Sequence, residues 1–316
     1  MGQPGGVLVT GAAGLIGSAV TRLLREQGRP VVACDDFSNG TWQEDAGIVW
    51  ERCDVADAAF GGRMSLHAVS LAIHCAAHPG GRSVEEPAED VRVNALGSAR
   101  VFEWCARSKV PVVYLSSSAV YGDQPPSPIA ESASLRPATP YAVCKVACEQ
   151  LLPVLEARYG LRWLVLRLFA TYGAGHRPGT HQGIVNVLMT QLLAGGEVLV
   201  RGSLNRVRDL LAVEDAAQAI VACAGDAQLY GHTLNVGTGV PTTIREMIDR
   251  LCEALGRRAD EVPVKVGEPT AGDPFYSVAD ISAVRRIGWA PRVSVADGFA
   301  ALAEHRLREA GATTRS

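Results

Sequence analysis

The chain has 316 residues, a length that predicts one or two packed units able to bury a large core without disulfide or metal staples. Lys and Arg total 30 against 33 Asp and Glu, so the formal charge is −3 and no basic surplus exists to bind a nucleic-acid backbone. No apolar run reaches the roughly 20 residues of a membrane span, and the N-terminus lacks the basic-then-apolar pattern of a signal peptide.

The eight cysteines indicate free thiols rather than a disulfide framework. They fall mainly within apolar stretches, as buried thiols do, and no two are spaced as Cys-x-x-Cys. His176 and His181 are joined by no Cys or carboxylate, so we expect no metal site there. We therefore predict a reduced, cytoplasmic protein.

The first half of the chain alternates short apolar runs with longer segments of helical periodicity. Strands are predicted at 6–10, 30–35, 48–53, 71–75, 111–115 and 161–169. Helices are predicted at 15–27, 88–107 and 141–159. This alternation predicts a parallel sheet with helices on both faces, and the nearly all-apolar strands fit burial on both sides.

The alternation becomes less regular after about Gly173, where turn residues cluster. A helix is predicted near 183–194 and a strand–helix unit at 209–224. We interpret these looser segments as a smaller, partly discontinuous lobe.

Three glycines, Gly11, Gly14 and Gly17, lie where the first strand becomes the first helix. This spacing allows a tight turn and a close approach of a pyrophosphate to the backbone, while the helix N-terminus favours the negative charge. Asp35 ends the second strand 18 residues beyond Gly17. An acid there accepts hydrogen bonds from the adenosine ribose and repels a 2′-phosphate, so NAD is favoured over NADP.

Asp54 follows the third strand, with Val55 beside it. Its position in the chain favours an acceptor for the adenine amino group of the same dinucleotide. An Asp after a strand is also a common turn or cap residue, and this alternative stays open.

Tyr141 and Lys145 are four residues apart, so they share one face of the predicted helix. A phenol becomes a useful base near neutral pH when neighbouring positive charge stabilises its phenolate form. The serines 116–118 directly follow the fifth strand, at the carboxyl edge where ligands bind in open α/β sheets. A hydroxyl there can donate to a substrate oxygen or relay its proton.

These motifs together resemble the extended short-chain dehydrogenases/reductases, specifically the NAD-dependent epimerase/dehydratase type that acts on nucleotide sugars. The resemblance covers nearly the whole chain and rests on TGAAGLIG at 10–17, CDDFSNG at 34–40, HCAA at 74–77, SSSAVYGD at 116–123, PYAVCK at 140–145, RLFATYG at 167–173, RVRDLLAVEDAAQAI at 206–220 and LNVGTG at 234–239. It implies an α/β fold, a Rossmann-type doubly wound parallel sheet with a smaller, partly discontinuous C-terminal substrate lobe. The expected NAD-binding domain is 1–172, with parts of 205–240 returning to it, and 173–316 is mainly the substrate lobe.

The resemblance also implies roles for individual residues. Ser117, Tyr141 and Lys145 match the catalytic residues of the family. Residues that match the NAD contacts, including those inferred above, are Gly11, Gly14, Leu15, Ile16, Gly17, Asp35, Asp36, Phe37, Ser38, Asn39, Gly40, Asp54, Val55, Cys75, Ala76, Ala77, Asn94, Tyr141, Lys145 and Leu168. The expected substrate contacts are Arg82, Ser83, Ser117, Arg177 and Arg208, of which Arg208 matches a diphosphate-binding arginine.

The chain departs from the family pattern at two places. Ala170 and Thr270 replace an Asn and an Arg that commonly contact the diphosphate, so Arg177 or Arg206 is a candidate replacement. Ser118 and Ala119 stand where the related dehydratases carry an Asp-Glu pair. The absence of this acid/base pair favours epimerisation or simple redox chemistry.

We therefore expect an NAD-dependent epimerase of a nucleotide-activated sugar, most simply at C4, acting through a keto intermediate. Two alternatives remain open: a sugar-nucleotide reductase or dehydrogenase of the same family, and a non-catalytic dinucleotide-binding sensor. We also expect a homodimer. The predicted helices 88–107 and 141–159 have apolar residues on more than one side, so one face can cover the sheet while the other packs against a two-fold mate. These residues are Val101, Phe102, Trp104, Val146, Leu151, Leu152 and Leu155.

Overall fold

The computed structural model describes residues 5–40, 47–175 and 183–313, and its centre is a seven-stranded parallel sheet. The sheet's strands, in chain order, are β1 Gly6–Thr10, β2 Val31–Asp35, β3 Ile48–Arg52, β4 Val69–His74, β5 Val112–Ser117, β6 Trp163–Leu168 and β10 His232–Val236. Their spatial order is β10-β6-β5-β4-β1-β2-β3, so the direction of winding reverses beside β1 and β4. All six predicted strands are confirmed, with ends that shift by at most two residues.

Short strands form two smaller sheets beyond the main one. These strands are β7 Ala170–Tyr172, β8 Val198–Arg201, β9 Val207–Ala212, β11 Pro241–Thr243, β12 Val264–Gly267 and β13 Tyr276–Ser277. β9 pairs with β7, β11 and β13, whereas β12 pairs in parallel with β8. The domain boundary near residue 172 stays a prediction, although β10 does return to the main sheet as part of the segment 205–240.

Helices cover both faces of the main sheet. They are α1 Leu15–Glu26, α2 Phe60–Met64, α3 Pro87–Glu89, α4 Ser98–Ser108, α5 Pro140–Tyr159, α6 Ile184–Ala194, α7 Val213–Gly225, α8 Ile244–Ala254, α9 Ser282–Arg286 and α10 Val295–Thr313. On one face α1 and α7 bury Leu24 and Ile220; on the other α2, α4 and α5 bury Phe60, Phe102 and Leu152. The doubly wound α/β fold is therefore confirmed.

The predicted helix 88–107 is not uniform. It consists of α3, a π-helical segment Asp90–Gly97 and then α4. The buried side chains of Asp90 and Asn94 in this segment hydrogen-bond each other at 2.7 Å. A π-helical turn differs from an α-helical one by a single residue, so the apolar periodicity did not reveal it.

The seven apolar residues named for the predicted helices 88–107 and 141–159 pack within the chain's own core. They join the two clusters that cover the main sheet. The helices α4 and α5 lie side by side on one face of the sheet and use these positions on the sheet and on each other, and the predicted homodimer stays a prediction. The exposed apolar residues of this region include Val91, Leu96, Val143 and Val154.

All eight cysteines are free, and seven of them are buried. Within residues 5–40, 47–175 and 183–313, no group of three or more His, Cys, Asp or Glu side chains is arranged to hold a metal ion. In the same residues no helix has the length and apolar character needed to cross a membrane.

Candidate active site

The turn between β1 and α1 fits a dinucleotide pyrophosphate. Gly11 has a left-handed φ of 66°, and a Cβ there would lie 2.6 Å from the backbone N of Ala76. A Cβ on Gly17 would collide with the Gly11 carbonyl, so only glycine lets α1 approach the turn. Gly14 caps α1, and a Cβ there would meet a single neighbouring atom, at 3.3 Å. Its open side leaves room for phosphate oxygens at the helix N-terminus.

Asp35, at the end of β2, links this turn to the loop that follows. Its Oδ2 accepts a hydrogen bond from Ala13 N at 2.9 Å, and its Oδ1 accepts one from Phe37 N at 2.7 Å. Burial raises the pKa of the Asp35 carboxyl above its usual range, although the two backbone hydrogen bonds act in the opposite direction. The structure thus holds the carboxylate beside the glycine turn, where the predicted ribose hydroxyls would lie.

The predicted NAD-binding loop after Asp35 has an unusual backbone. Phe37 has a φ of 61°, a left-handed conformation that bulky residues rarely adopt. The Asp35 hydrogen bond and the Trp50 ring, 5.7 Å away, hold Phe37 in place. A Cβ on Gly40 would collide with Ala13, so this loop lies directly against the glycine turn. Strain of this kind is often found at ligand sites.

Asp54 accepts a backbone hydrogen bond within its own turn and also forms an ion pair. Its Oδ1 accepts a hydrogen bond from Ala56 N at 2.8 Å, whereas its Oδ2 lies 2.5 Å from Nη1 of Arg92. Arg92 also pairs with Glu89 at 2.5 Å. Val55 is buried beside it. An adenine amino group at Asp54 would therefore share the carboxylate with Arg92, and this role of Asp54 stays a prediction.

Asn94 holds the segment that follows β4. Its Oδ1 accepts a hydrogen bond from His78 N at 2.8 Å, and its Nδ2 donates to His78 O at 3.2 Å and to Asp90. Residues 75–77, which are predicted to contact NAD, directly precede His78. Burial raises the pKa of the Cys75 thiol to about 12, which keeps it protonated.

Tyr141 and Lys145 lie on the first turns of α5. Thr139 caps this helix, since its Oγ1 accepts a hydrogen bond from Ala142 N at 3.2 Å. The Lys145 ammonium is buried, lies 5.5 Å from the centre of the Tyr141 ring and donates to the Leu115 carbonyl at 2.9 Å. The helix therefore places a cation beside the tyrosine and ties both to the end of β5.

Two residues of the turn after β4 contact Tyr141. Ser83 is fully buried, and its Oγ accepts a hydrogen bond from Tyr141 N at 2.8 Å. A Cβ on Gly80 would lie 3.3 Å from the Tyr141 ring, so the backbone packs closely against the phenol. Ser83 thus supports the start of α5, whereas the neighbouring Arg82 is exposed; their substrate contacts stay predictions.

Ser117 is the last residue of β5 and is partly exposed at the carboxyl edge of the sheet. Its Oγ accepts a hydrogen bond from Ala119 N at 3.2 Å, which caps the short 3₁₀ helix Ser118–Tyr121. The side chains of Ser118 and Ala119 are also partly exposed. Leu168 ends the adjacent strand β6, as expected for a residue at this edge.

A cavity of about 1070 Å³ lies beside the segments 202–206 and 266–275. Arg206 and Asp273 line it, and Asp273 pairs with both Arg206 and Arg208. Burial, together with the neighbouring Arg206, lowers the pKa of Arg208 to about 10. These two guanidinium groups fit the expected diphosphate side of the site. Arg177 lies outside the described residues.

Comparison with known proteins identifies the family of this chain. The model of the NAD dependent epimerase/dehydratase family matches residues 7–237. The chain belongs to this family. It is 34% identical to the UDP-glucose 4-epimerase of Mycolicibacterium smegmatis, over 94% of this chain and 97% of that protein.

Solved structures of family members superpose closely on this chain. The UDP-glucose 4-epimerase of Thermotoga maritima with UDP-glucose has a TM-score of 0.90 and 30% identity, covering 96% of this chain and 99% of that one. The Thermus thermophilus UDP-glucose 4-epimerase in complex with NAD has a TM-score of 0.88 and 31% identity, covering 95% and 98%. The predicted enzyme class, an NAD-dependent epimerase of nucleotide sugars, is confirmed, and so is NAD as the cofactor.

No sequence pattern indicated several residues of this site. Arg92 pairs with Asp54 across 38 residues, and Asp273 pairs with Arg208 across 65. Such distant partners leave no local spacing signal. Thr139, in contrast, could have been found, because a threonine directly before a proline and a helical segment is a recognisable N-cap signal.

Proposed function

We propose that this protein interconverts two UDP-sugars that differ in configuration at C4. The observation that carries the proposal is the pair Tyr141–Lys145, anchored by the Lys145–Leu115 bond beside Ser117 at the same sheet edge as the glycine turn. The UDP-sugar specificity is supported by the relatives, which are named UDP-glucose 4-epimerases. The glycine turn fits the pyrophosphate of NAD, and the Asp35 carboxylate fits its ribose hydroxyls.

When bound, NAD supplies a hydride acceptor that can later return the hydride. The residues of the chain itself move a proton and hold the sugar. Tyr141 takes the proton from the C4 hydroxyl as the sugar is oxidised, and returns it to the oxygen of the 4-keto sugar on reduction. Lys145 stabilises the phenolate because its ammonium lies 5.5 Å from the ring centre. Ser117 donates a hydrogen bond to the same sugar oxygen.

The segment after Ser117 supports epimerisation over elimination of water. Ser118 and Ala119 offer no carboxylate at this edge of the sheet to act as an additional acid or base. Nothing at these two positions can remove the second proton that a dehydration requires. The 4-keto sugar must then be reduced again. If the hydride returns to its opposite face, the result is an epimerisation.

The test is to incubate the NAD-loaded protein with single UDP-sugars and follow isomer formation by NMR. We expect two C4 isomers to interconvert without added NAD and without accumulation of NADH. In deuterated water, C4 of the product should carry no solvent deuterium. Stoichiometric NADH release would identify a dehydrogenase instead, deuterium at C4 would indicate a deprotonation mechanism, and NAD binding without turnover would indicate a sensor.

We also propose a homodimer formed by the exposed sides of the π-helical segment and α5. Val91, Leu96, Val143 and Val154 are 44–59% exposed, and Val143 and Val154 share one side of α5, eleven residues apart. Val154→Asp should shift the protein towards monomer in light scattering at micromolar concentration. Val266→Asp, at a residue of β12 with similar exposure, is the control. A monomeric wild type would contradict the proposal.

We further propose a cytoplasmic location. Eight free cysteines, seven of them buried, are typical of proteins in a reducing compartment.

A further inference from the structure

A buried polar network lies directly behind the active site, and the proposed chemistry does not use it. We call it the Glu149 network; its members are Ser116, Tyr121, Glu149, Arg167 and Asn235. Each is at most 8% exposed. It connects α5 with β5, β6 and β10, the strands on that side of the sheet.

The network is held by short hydrogen bonds around one ion pair. Arg167 donates to both Glu149 oxygens, with its Nη2 at 2.6 Å and its Nε at 3.0 and 3.2 Å. Ser116 Oγ donates to Glu149 Oε1 at 2.5 Å. Arg167 Nη1 donates to the Tyr121 hydroxyl at 2.9 Å, which in turn donates to Asn235 at 2.6 Å.

Stability alone is a weak reason for such a network. Removing two charges from water costs several kcal/mol, and well-packed apolar residues often do as well or better at such positions. The location of the network offers another reason. Glu149 lies one helical turn after Lys145, and Ser116 directly precedes Ser117.

Two contacts therefore join α5 to consecutive residues of β5. Lys145 donates to the carbonyl of Leu115, and Glu149 accepts from Ser116. Because α5 also carries Tyr141, these contacts fix the position of the tyrosine relative to Ser117. A displacement of about 1 Å at a reacting group can lower a rate about 10²-fold.

We propose that the Ser116–Glu149 hydrogen bond is a positioning contact, and that Ser116 and Glu149 are positioning residues for the Tyr141–Lys145 pair. They act on the geometry between α5 and β5 and touch neither sugar nor NAD. The inference concerns the catalytic pair of the family and does not depend on which sugar is the substrate.

The first test compares Ser116→Ala with Ser116→Thr, which retains the hydroxyl. We expect kcat to fall at least tenfold in Ser116→Ala, while KM and the NAD content of the purified protein stay within twofold of wild type. Ser116→Thr should restore most of kcat. Ser65→Ala is the matched control, since the Ser65 hydroxyl hydrogen-bonds Gly61 and Trp104 far from the active site, and it should leave kcat unchanged.

A second variant separates geometry from charge. Glu149→Gln retains an acceptor for Ser116 but removes the negative charge, so a positioning role predicts that the folded protein keeps most of its kcat. Unchanged kcat in Ser116→Ala, or loss of kcat in a folded Glu149→Gln, would overturn the proposal.

The last measurement needs no substrate. A crystal structure of NAD-loaded Ser116→Ala should show Lys145 and Leu115 displaced from the 2.9 Å contact. This result would support the positioning role even if no UDP-sugar were converted by the wild type. An unchanged contact would overturn it whatever the substrate.

Discussion

Tyr141 shows how single residues of this site depend on their neighbours. Its backbone N–H donates to the buried Ser83 hydroxyl, its ring packs against Gly80, and the Lys145 ammonium lies beside it. These contacts come from the turn after β4 and from α5 itself, so the phenol has little freedom to move. Its hydroxyl can therefore be removed with little effect on the surrounding structure.

Tyr141→Phe should lower kcat at least about 10²-fold, the usual scale for a lost general base. The Tm and the NAD content of the protein should stay near those of wild type, because only one hydroxyl is lost. Isomer formation by NMR measures the first effect, and mass analysis of the purified protein measures the second. Tyr159→Phe, at the exposed end of the same helix, should behave as wild type. Comparable turnover in both variants would exclude Tyr141 as the base.

Asp35→Ala should weaken NAD binding by about 1.5–3 kcal/mol, because a hydrogen bond to a charged acceptor is lost. The preference for NAD over NADP should shrink at the same time, since the carboxylate no longer repels a 2′-phosphate. Calorimetric titration of the cofactor-free protein measures both affinities. Asp260→Ala removes an exposed carboxylate paired with Arg258 and is the control. Unchanged affinities in Asp35→Ala would place the ribose elsewhere.

The elements differ in how far the sequence predicts them. Six of the seven strands of the main sheet were predicted within two residues. In β1, β2 and β6 every position is buried, which leaves a nearly uninterrupted apolar run. The π-helical segment Asp90–Gly97 was missed because a one-residue change in turn size hardly alters the apolar pattern. In the site, the glycine turn and the Tyr141–Lys145 pair are local and therefore visible. The Glu149–Arg167 pair joins α5 to β6 and becomes visible only after folding.

The start of α5 is a further element that the structure makes testable. Thr139→Ala removes the side-chain acceptor for Ala142 N and should lower the free energy of unfolding by about 1 kcal/mol. Thr139→Ser keeps an acceptor and should retain most of the stability. Urea denaturation followed by circular dichroism measures both. Equal loss in the two variants would show that the cap contributes through the methyl group rather than through its oxygen.

At the scale of the whole molecule, buried polar contacts join the main sheet to its helices. His74 ends β4 in the middle of the main sheet, where its two ring nitrogens lie 2.6 Å from Thr10 Oγ1 and 2.9 Å from Ser98 Oγ. It thereby connects β1, β4 and α4 just below the glycine turn. Burial, reinforced by the Lys145 charge, lowers the pKa of His74 to about 3. The stability of the whole fold is thus coupled to pH through a group beneath the active site.

The consequence is a loss of stability in mild acid. An unfolded chain binds a proton at His74 below pH ~6.5, whereas the folded chain does so only near pH 3. Between these values the unfolded state holds the additional proton, so the free energy of unfolding falls by about 1.4 kcal/mol for each unit that the pH decreases. His74→Gln removes this term and can still hydrogen-bond Thr10 and Ser98. Urea denaturation at pH 7 and pH 5 should show a smaller loss in His74→Gln, by about 2 kcal/mol, than in the wild type or in the control His232→Gln, whose histidine is exposed on β10. Equal losses in all three proteins would show that folding does not lower the pKa of His74.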